Sequence, residues 1–482
     1  MQHSIPDGQN TQDRRVALGV CLAVTVGAVG VYKAIESLVS PALPIIQAEL
    51  GATRAEVTWV MTGVLLTGPL VTPLISRLAD IYDKRKLIMA IMLIVATGTL
   101  VSSLSASMQM LIIGQLLQGF GLSMVPLAVG IMKDTQPASV LKFSNSLMIS
   151  AIYGSTALGM LIAGPIADNY HYTYLFWAPF LALMILIAAA WMLLPPCPSK
   201  SKTKPSIDVK GLVLFAIALG TFLIGLTYAP EWGWGSTSFL GTCAVSLCSL
   251  LAFVWAELTH KDPLVELRVL RSFSVTSGLV LMMAAGYVIN SFFVSVPMQV
   301  QQALSTGYGL GATATLTSLI LLPGVLIGVA SPIVNLVERY AGLASASVVG
   351  PLIMGAGFWL ALESAGSLPL VIISMLCAGL GSGITITQAM NLMVMGVPDD
   401  RVGTFTGLNF VAKAIGATTG AQVVGGLLST ASGDASQAPE WNNFVYVFSM
   451  GLVICIIAIA CAFIGSRSFS KSYAQPRTEK AV

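Results

Sequence analysis

Long apolar runs alternate with short polar segments along the whole chain. A helix that crosses the hydrocarbon core of a bilayer needs about 20 mostly apolar residues, and most of the runs reach that length. Gly and Pro interrupt several runs, as membrane-spanning helices tolerate. The runs lie at 16–44, 55–79, 86–106, 108–132, 143–165, 174–194, 211–229, 239–258, 273–299, 312–335, 343–362, 368–396, 405–430 and 443–465. The pattern predicts fourteen membrane-spanning helices.

The composition supports this prediction. Of the 482 residues, 55% are hydrophobic and only 9% are charged, against roughly 25% charged residues in ordinary globular chains. The net charge of +3 gives no basic field for nucleic acid. The first apolar run continues past any plausible signal-peptide cleavage site, so we expect an uncleaved first helix. The sequence indicates an all-α polytopic protein of the lipid bilayer with no nucleic-acid partner.

Histidine and cysteine usage excludes several enzyme classes. None of the three histidines has a second metal-ligating residue at a suitable spacing. The seven cysteines form no Cys-x-x-Cys pair, and most lie in apolar runs as small packing residues. No Walker motif is present, and no loop is long enough to form a soluble catalytic domain. We expect no metal site, no cofactor and no enzymatic activity.

The basic residues of the loops indicate the orientation, because cytoplasmic loops accumulate Lys and Arg. With the N-terminus inside and fourteen spans, 21 of the 24 Lys and Arg residues fall in cytoplasmic segments. The exceptions are Arg54 in an outer loop and Lys33 and Lys413 within spans. A missed span would reverse every later loop and remove this asymmetry. The sequence predicts a multi-pass protein of the cell (plasma) membrane with both termini cytoplasmic.

A charge cluster follows the second predicted span. The segment SRLADIYDKRKLI, Ser76 to Ile88, places an acidic residue at a helix end, then a tight turn and cations, which can hold two helices together. The alternative is positive-inside anchoring with an incidental Asp. The segment resembles the loop-2/3 signature of the major facilitator superfamily, with Ser and Asp where the family usually has Gly. The residues of this gate motif are Ser76, Leu78, Asp80, Asp83, Lys84 and Arg85.

Fourteen spans resemble the drug:proton antiporter branch of that superfamily, in which two extra helices join two six-helix halves. The run Ala42-Leu43-Pro44-Ile45-Ile46 and the segment 261–274 resemble signatures of the same branch. A Pro-, Ser- and Lys-rich stretch supplies the linker between the halves. The resemblance implies an N-terminus at 1–15, a six-helix half at 16–194, a basic linker at 195–210, two extra helices at 211–258, a second half at 259–465 and a tail at 466–482.

Two segments depart from the pattern of that branch. Gln115 stands where the family normally has an Arg that is linked to proton coupling. The fifth span resembles the antiporter signature Gly-Pro-x-x-Gly-Gly in one of two alignments. Either Gly159 begins the signature and Ala163-Gly164 ends it, or Gly164-Pro165 is its Gly-Pro. Small residues there allow close helix packing in either case.

An ionisable residue inside a membrane span costs free energy, so its presence needs a structural or functional explanation. Lys33 and Glu36 are neighbours on one face of the first helix. They are candidates for proton coupling, with Glu36 as the group that binds and releases the proton; the alternative is a self-neutralising pair that lowers the cost of insertion. Lys413 lies about eight residues from the cytoplasmic end of the thirteenth span. It either extends to the inner surface or lines a cavity.

Neutral polar residues within spans point to a substrate cavity, although hydrogen bonding between helices also explains them. Gln115 and Gln118 are neighbours on the fourth span, as are Gln388 and Asn391 on the twelfth. The candidates for the cavity are Tyr32, Gln115, Gln118, Asn290, Gln388, Asn391 and Lys413.

The resemblance implies a secondary transporter that exports small amphipathic compounds, cationic or antibiotic-like ones included. The proton gradient supplies the energy, and the two halves rock about a midplane site. We expect a small-molecule substrate, protons and the bilayer as partners, and a monomer. The alternatives are a dedicated exporter of one endogenous metabolite or toxin with altered coupling, and a non-transporting membrane receptor or scaffold.

Overall fold

The computed structural model describes residues 7–135, 138–198, 208–233, 235–259, 273–396, 402–429 and 438–473. Within these ranges the regular structure is entirely helical. The α-helices are α1 (Asp7–Leu50), α2 (Arg54–Ile81), α3 (Lys84–Ser103), α4 (Met108–Gln118), α5 (Met124–Thr135), α6 (Ala138–Asn169), α7 (Tyr174–Leu193), α8 (Val209–Trp232), α9 (Thr237–Thr259), α10 (Phe273–Val300), α11 (Ala314–Leu321), α12 (Ala330–Leu362), α13 (Leu368–Gly396), α14 (Val402–Ser429) and α15 (Trp441–Tyr473). Three 3-10 segments, Gly119–Ser123, Leu304–Thr306 and Leu322–Val329, lie between them.

The helices follow the predicted spans. In the described part of the chain, eleven helical stretches are long and apolar enough to cross a membrane. The predicted seventh, tenth and thirteenth spans correspond to α8, to α11 with the 3-10 segment after it, and to α14. The all-helical membrane fold is therefore confirmed. Most of the predicted linker, residues 199–207, lies outside the described residues.

The predicted fourth span is not one α-helix. It tightens into the 3-10 segment Gly119–Ser123 between α4 and α5. Other helices approach closely at this point, because a side chain on Gly121 would overlap the ring of Tyr32 on α1. A side chain on Gly119 would lie 2.6 Å from the Val64 carbonyl oxygen on α2. The two glycines therefore let α1 and α2 pack directly on this segment.

The predicted inner loop between the tenth and eleventh spans is helical. Helix α12 runs from Ala330 to Leu362 without a break and includes the exposed Arg339, which we placed in that loop. Loop charges mark where the chain leaves the apolar layer, whereas helix ends depend on caps and turn residues. A cation at the boundary therefore does not end the helix.

The bundle contains two groups of closely packed helices. Within the C-terminal group, α10–α15, helices α10 and α14 meet backbone to backbone, because a side chain on Gly286 or Gly416 would overlap backbone atoms of the facing helix. The N-terminal group, α1–α7, packs chiefly through α1 on α6 and α7 and through α3 on α4 and α7. Helix α8 packs on α2 and α14, and α9 packs mainly on α8. The two extra helices therefore lie beside the line where the groups meet.

Candidate functional site

A cavity of about 350 Å³ lies between the two helix groups. Helices α1, α2, α4, α5 and α6 line it on one side, and α10, α13 and α14 line it on the other. The wall is mostly apolar, with a small number of polar groups, as is usual for small-molecule sites. Its polar and charged lining residues are Tyr32, Lys33, Glu36, Ser37, Ser40, Gln115, Tyr153, Thr156, Asn290, Thr387, Asn391 and Lys413. We call this space the central cavity.

Three ionisable side chains predicted from the spans face the central cavity. Lys33 Nζ lies 2.5 Å from Glu36 Oε2, and both residues belong to α1, one turn apart. The Lys33 ammonium also lies 5.1 Å from the ring centre of Tyr32. Lys413 belongs to α14 in the opposite group and lines the same cavity. The structure therefore places Lys413 in the cavity wall and brings the three charges into one site.

The amides of α4 share one serine of α3. Gln118 Nε2 donates to Ser102 Oγ at 2.9 Å, and Gln115 Nε2 lies 3.5 Å from the same oxygen. Both glutamines are fully buried, and neither carbonyl oxygen has a hydrogen-bond partner in the described part of the chain. Only Gln115 of the two lines the central cavity. Gln115 therefore forms part of the cavity wall, with its amide turned into the packing, whereas Gln118 lies behind the wall.

The amides of the C-terminal group also divide into two sets. Asn290 on α10 and Asn391 on α13 line the central cavity, and Asn290 Nδ2 donates to the Gly286 carbonyl oxygen at 3.1 Å. Gln388 is fully buried outside the lining. Neither of its amide atoms has a partner among the described residues. The structure therefore brings Asn290 and Asn391 to the cavity and leaves Gln388 within the packing of the group.

Sequence reasoning missed the contribution of α6. Tyr153 and Thr156 lie one turn apart on this helix and line the cavity opposite the C-terminal group. Their spacing on one helical face is the signal that could have found them. Thr156 Oγ1 donates to the Ile152 carbonyl oxygen of its own helix at 2.8 Å. Because such a hydroxyl finds its hydrogen-bond acceptor in its own helix, a single Thr in a span does not by itself indicate a cavity.

The gate motif ties α3 to two other helices. Lys84 forms an ion pair with Asp134 at the end of α5, and both side chains are mostly buried. The Arg85 guanidinium donates to the Trp191 carbonyl oxygen near the end of α7. The ion pair of Lys84 therefore joins α3 to α5, whereas the predicted clip across the α2–α3 turn stays a prediction. Sequence reasoning did not single out Asp134, which lies 50 residues from Lys84.

Asp83 organises the turn before α3. Its carboxylate accepts from the Arg85 backbone N–H at 2.9 Å, which caps the helix, and from the Cys197 N–H at 3.0 Å. Burial raises the pKa of the Cys197 thiol to about 11, so this side chain stays neutral. Ser76 is exposed and donates to its own helix, and Leu78 packs on the N-terminal core. The side chain of Asp80 lies outside the described residues.

The antiporter-like stretch of α6 lies between the two groups. An added side chain at Gly159 would lie 2.7 Å from the Ala34 carbonyl oxygen on α1. One at Gly164 would lie 2.5 Å from a backbone carbon of α11 in the other group. Ala163 is fully buried, and Pro165 is exposed. The small residues therefore allow α6 to contact both α1 and α11.

The end of α6 is bonded to the start of α11. We call the end of the bundle with the α1–α2 turn the outer end, and the end with the α2–α3 turn the inner end. Asp168 accepts from the backbone N–H groups of Ala314 and Thr315, both at 2.8 Å, and from Thr315 Oγ1 at 2.5 Å. A carboxylate of one group therefore caps a helix of the other at the outer end.

Further side-chain-to-backbone hydrogen bonds join the two groups in the outer and middle parts of the bundle. They run from Ser40 Oγ to Phe293 O at 2.6 Å, from Gln301 Nε2 to Pro41 O at 2.8 Å and from Thr418 Oγ1 to Leu65 O at 3.0 Å. The cavity lining, in contrast, extends to Met390 and Phe410 in the inner parts of α13 and α14. These bonds therefore close the outer end above the central cavity.

Two relatives of this chain are resistance proteins. The chain is 28% identical over 419 residues to the tetracenomycin C resistance and export protein of Streptomyces glaucescens, covering 86% of this chain and 76% of the relative. It is 26% identical over 480 residues to the lincomycin resistance protein LmrB of Listeria monocytogenes, covering 96% of this chain and 98% of the relative.

The solved POT family transporter PepTSo has the same fold, with a TM-score of 0.66 at 15% identity, covering 95% of this chain and 98% of that one. The sequence model of the Major Facilitator Superfamily matches residues 25–421, a range that runs from α1 into α14 and includes the two extra helices. With a cavity between two helix groups and a match over most of its length, the chain belongs to the Major Facilitator Superfamily, a family of transporters rather than enzymes.

Proposed function

We propose that this protein exports small amphipathic compounds, antibiotic-like molecules among them, and that the proton gradient drives the export. The observation that carries the proposal is the central cavity, an apolar space between two helix groups with charged side chains from both. The functions of the two related resistance proteins support the outward direction. The protein acts as a monomer in the plasma membrane, with both termini cytoplasmic.

The transport cycle is alternating access between the inner and outer ends. The hydrogen bonds at the outer end and the inward extent of the cavity lining support an inward-facing arrangement. A compound enters the cavity from the inner end and contacts residues of both groups. The outer bonds then break while the inner ends of the groups approach, and the compound leaves on the other side.

Glu36 is the proton-binding residue of the proposed cycle. Its carboxylate faces the cavity and is held by Lys33 at 2.5 Å, so proton binding at Oε2 releases the Lys33 ammonium. The charge pattern of the cavity therefore changes whenever Glu36 gains or loses a proton. Each proton that crosses a potential of 100 mV supplies about 2.3 kcal/mol, before any pH difference.

The test is uptake into inverted proteoliposomes with an imposed pH gradient, using a neutral hydrophobic dye and a hydrophobic dye that carries a carboxylate. We expect Glu36→Gln to retain dye binding and to lose gradient-driven transport, because Gln keeps the shape of the side chain but cannot bind the proton. Glu440→Gln removes an exposed carboxylate outside the cavity and is the matched control. Full gradient-driven transport by Glu36→Gln would contradict the coupling proposal.

The unpaired Lys33 of that variant requires a second comparison. The double variant Lys33→Met with Glu36→Gln removes both charges and restores neutrality in the span. If it regains expression but not coupled transport, Glu36 carries the proton. If it regains transport as well, the pair only neutralises itself, which the sequence left as the alternative.

A second candidate is an exporter dedicated to one compound, with altered coupling. Two observations favour it: one relative is named for a single compound, tetracenomycin C, and Gln115 stands where the family usually has the coupling Arg. A susceptibility panel in a pump-deleted host separates the two candidates, since a dedicated exporter protects against one chemical family alone.

A further inference from the structure

The charges in the central cavity do not cancel. Lys33 and Glu36 neutralise each other at 2.5 Å on α1. Lys413 lines the cavity from α14, and no carboxylate in the described part of the chain lies within 4 Å of its ammonium. One positive charge is therefore left over, in a site whose wall is mostly apolar.

The position of Lys413 is fixed by its backbone. The Lys413 carbonyl presses on α10 so closely that a side chain on Gly286 would overlap it. One turn on, Gly416 lies against the Met283 carbonyl in the same manner. Helix α14 cannot slide or rotate at this point without losing both contacts. The backbone of Lys413 is therefore fixed at the boundary of the cavity, and the side chain extends from a rigid part of the helix.

The described part of the cavity lining that the C-terminal group supplies contains no carboxylate that could bind a cation. Asn290 and Asn391 line the same side of the cavity, next to the apolar Met390 and Phe410. A cation that is removed from bulk water requires an opposite charge or strong acceptors. An incoming cation would instead meet a site that already carries a net positive charge.

We propose that the preferred substrates carry an anionic group, a carboxylate or an ionised phenol, on an apolar aromatic body, and that Lys413 binds this group. The proposal rests on the export function proposed above and names its substrate class. The apolar body packs on the hydrophobic wall, and the anion forms a charge-assisted hydrogen bond with the lysine. Expectations of cationic substrates, which the family resemblance allows, do not fit this charge set.

The membrane potential that drives protons inward also favours the export of an anion. An anion that moves out and a proton that moves in both carry positive charge inward. An inside-negative membrane potential therefore favours both movements.

The experiment compares three naphthalenes that carry a carboxylate, a carboxamide or an aminomethyl group. Binding to the purified full-length protein in detergent is measured by fluorescence, without any gradient. We expect the carboxylate to bind roughly tenfold more tightly than the amide, as hydrogen bonds to charged groups imply, and the ammonium compound to bind most weakly. Lys413→Gln should reduce carboxylate binding to the level of the amide, and Lys413→Arg should retain the preference.

Lys133→Gln is the matched control, because Lys133 is an exposed lysine on α5 outside the cavity. Equal or tighter binding of the ammonium compound overturns the proposal, as does an unchanged order in Lys413→Gln or no binding of any of the three compounds. Size-exclusion profiles show whether each variant is folded. A preserved charge preference without proton-driven flux would count against the coupling role of Glu36 and leave the assignment of Lys413 intact.

Discussion

Asp168 is the carboxylate through which α6 holds α11 at the outer end. The change that tests its role is Asp168→Ala, which removes the acceptor for two backbone N–H groups and for the Thr315 hydroxyl. The side chain is exposed, so water can replace it in part. Because the bonds join the two helix groups, their loss acts on the equilibrium between closed and open outer ends.

The expected magnitude follows from capping energetics. Replacement of an N-terminal capping side chain by Ala costs about 0.5–2 kcal/mol, and the exposure of Asp168 favours the middle of that range. A loss of about 1 kcal/mol changes a two-state ratio roughly fivefold. We therefore expect the outward-open population of Asp168→Ala to rise about fivefold, with little change in folding, because α6 and α11 keep their packing around Gly164.

The assay is a spin-label distance measurement across the outer end. Labels at Ala48 and Ala303, both exposed at that end, report the separation of the groups in a variant without its native cysteines. The matched control is Asn169→Ala, because the Asn169 amide donates to the Pro165 carbonyl oxygen of its own helix at 2.8 Å. The same distance distribution in Asp168→Ala and the control would refute this account of the outer contact.

Two further sets of variants test the gate motif and the helix packing. Lys84→Ala and Asp134→Ala each remove one partner of a mostly buried ion pair. Each should lower stability by about 1–3 kcal/mol, and the double variant by little more than either alone, in a thermal-denaturation cycle; additive losses would show that the pair does not matter. Gly416→Ala places a methyl group against the Met283 carbonyl and should lower the melting temperature. Gly154→Ala, which meets nothing within 4 Å, should not; equal melting temperatures would contradict the close α10–α14 contact.

The helices could be predicted from the sequence because each span must be apolar over a fixed length. What could not be predicted depends on contacts between distant residues. The 3-10 segment at Gly119–Ser123 exists where α1 and α2 press on it, and hydropathy carries no information about that approach. The continuity of α12 through Arg339 was missed because a cation marks the edge of the apolar layer and not the end of a helix.

The charged residues of the candidate site could be predicted, because a charge within a span costs free energy. The neutral polar residues could not, because their cost is small. Lys33, Glu36 and Lys413 attracted attention because charge within a span needs compensation, and all three line the cavity. Gln388 is a neutral amide outside the lining, and Thr156, which does line it, bonds to its own helix. Neutral polar groups find hydrogen-bond partners in many parts of a helix bundle. Their positions in the sequence therefore do not reveal which face of a helix borders a cavity.

The hydrogen bonds between the two groups differ in kind from the glycine contacts within the C-terminal group. Within the C-terminal group, Gly416 lets the backbones of α10 and α14 touch, which no water can replace. Between the groups, single side chains such as Ser40, Gln301 and Asp168 bond to backbone atoms. Each such bond contributes about 0.5–1.5 kcal/mol net when neutral, since water takes over the partners once they separate. A few bonds of this size hold an end closed and still release it at an energy that one or two protons crossing the membrane can supply.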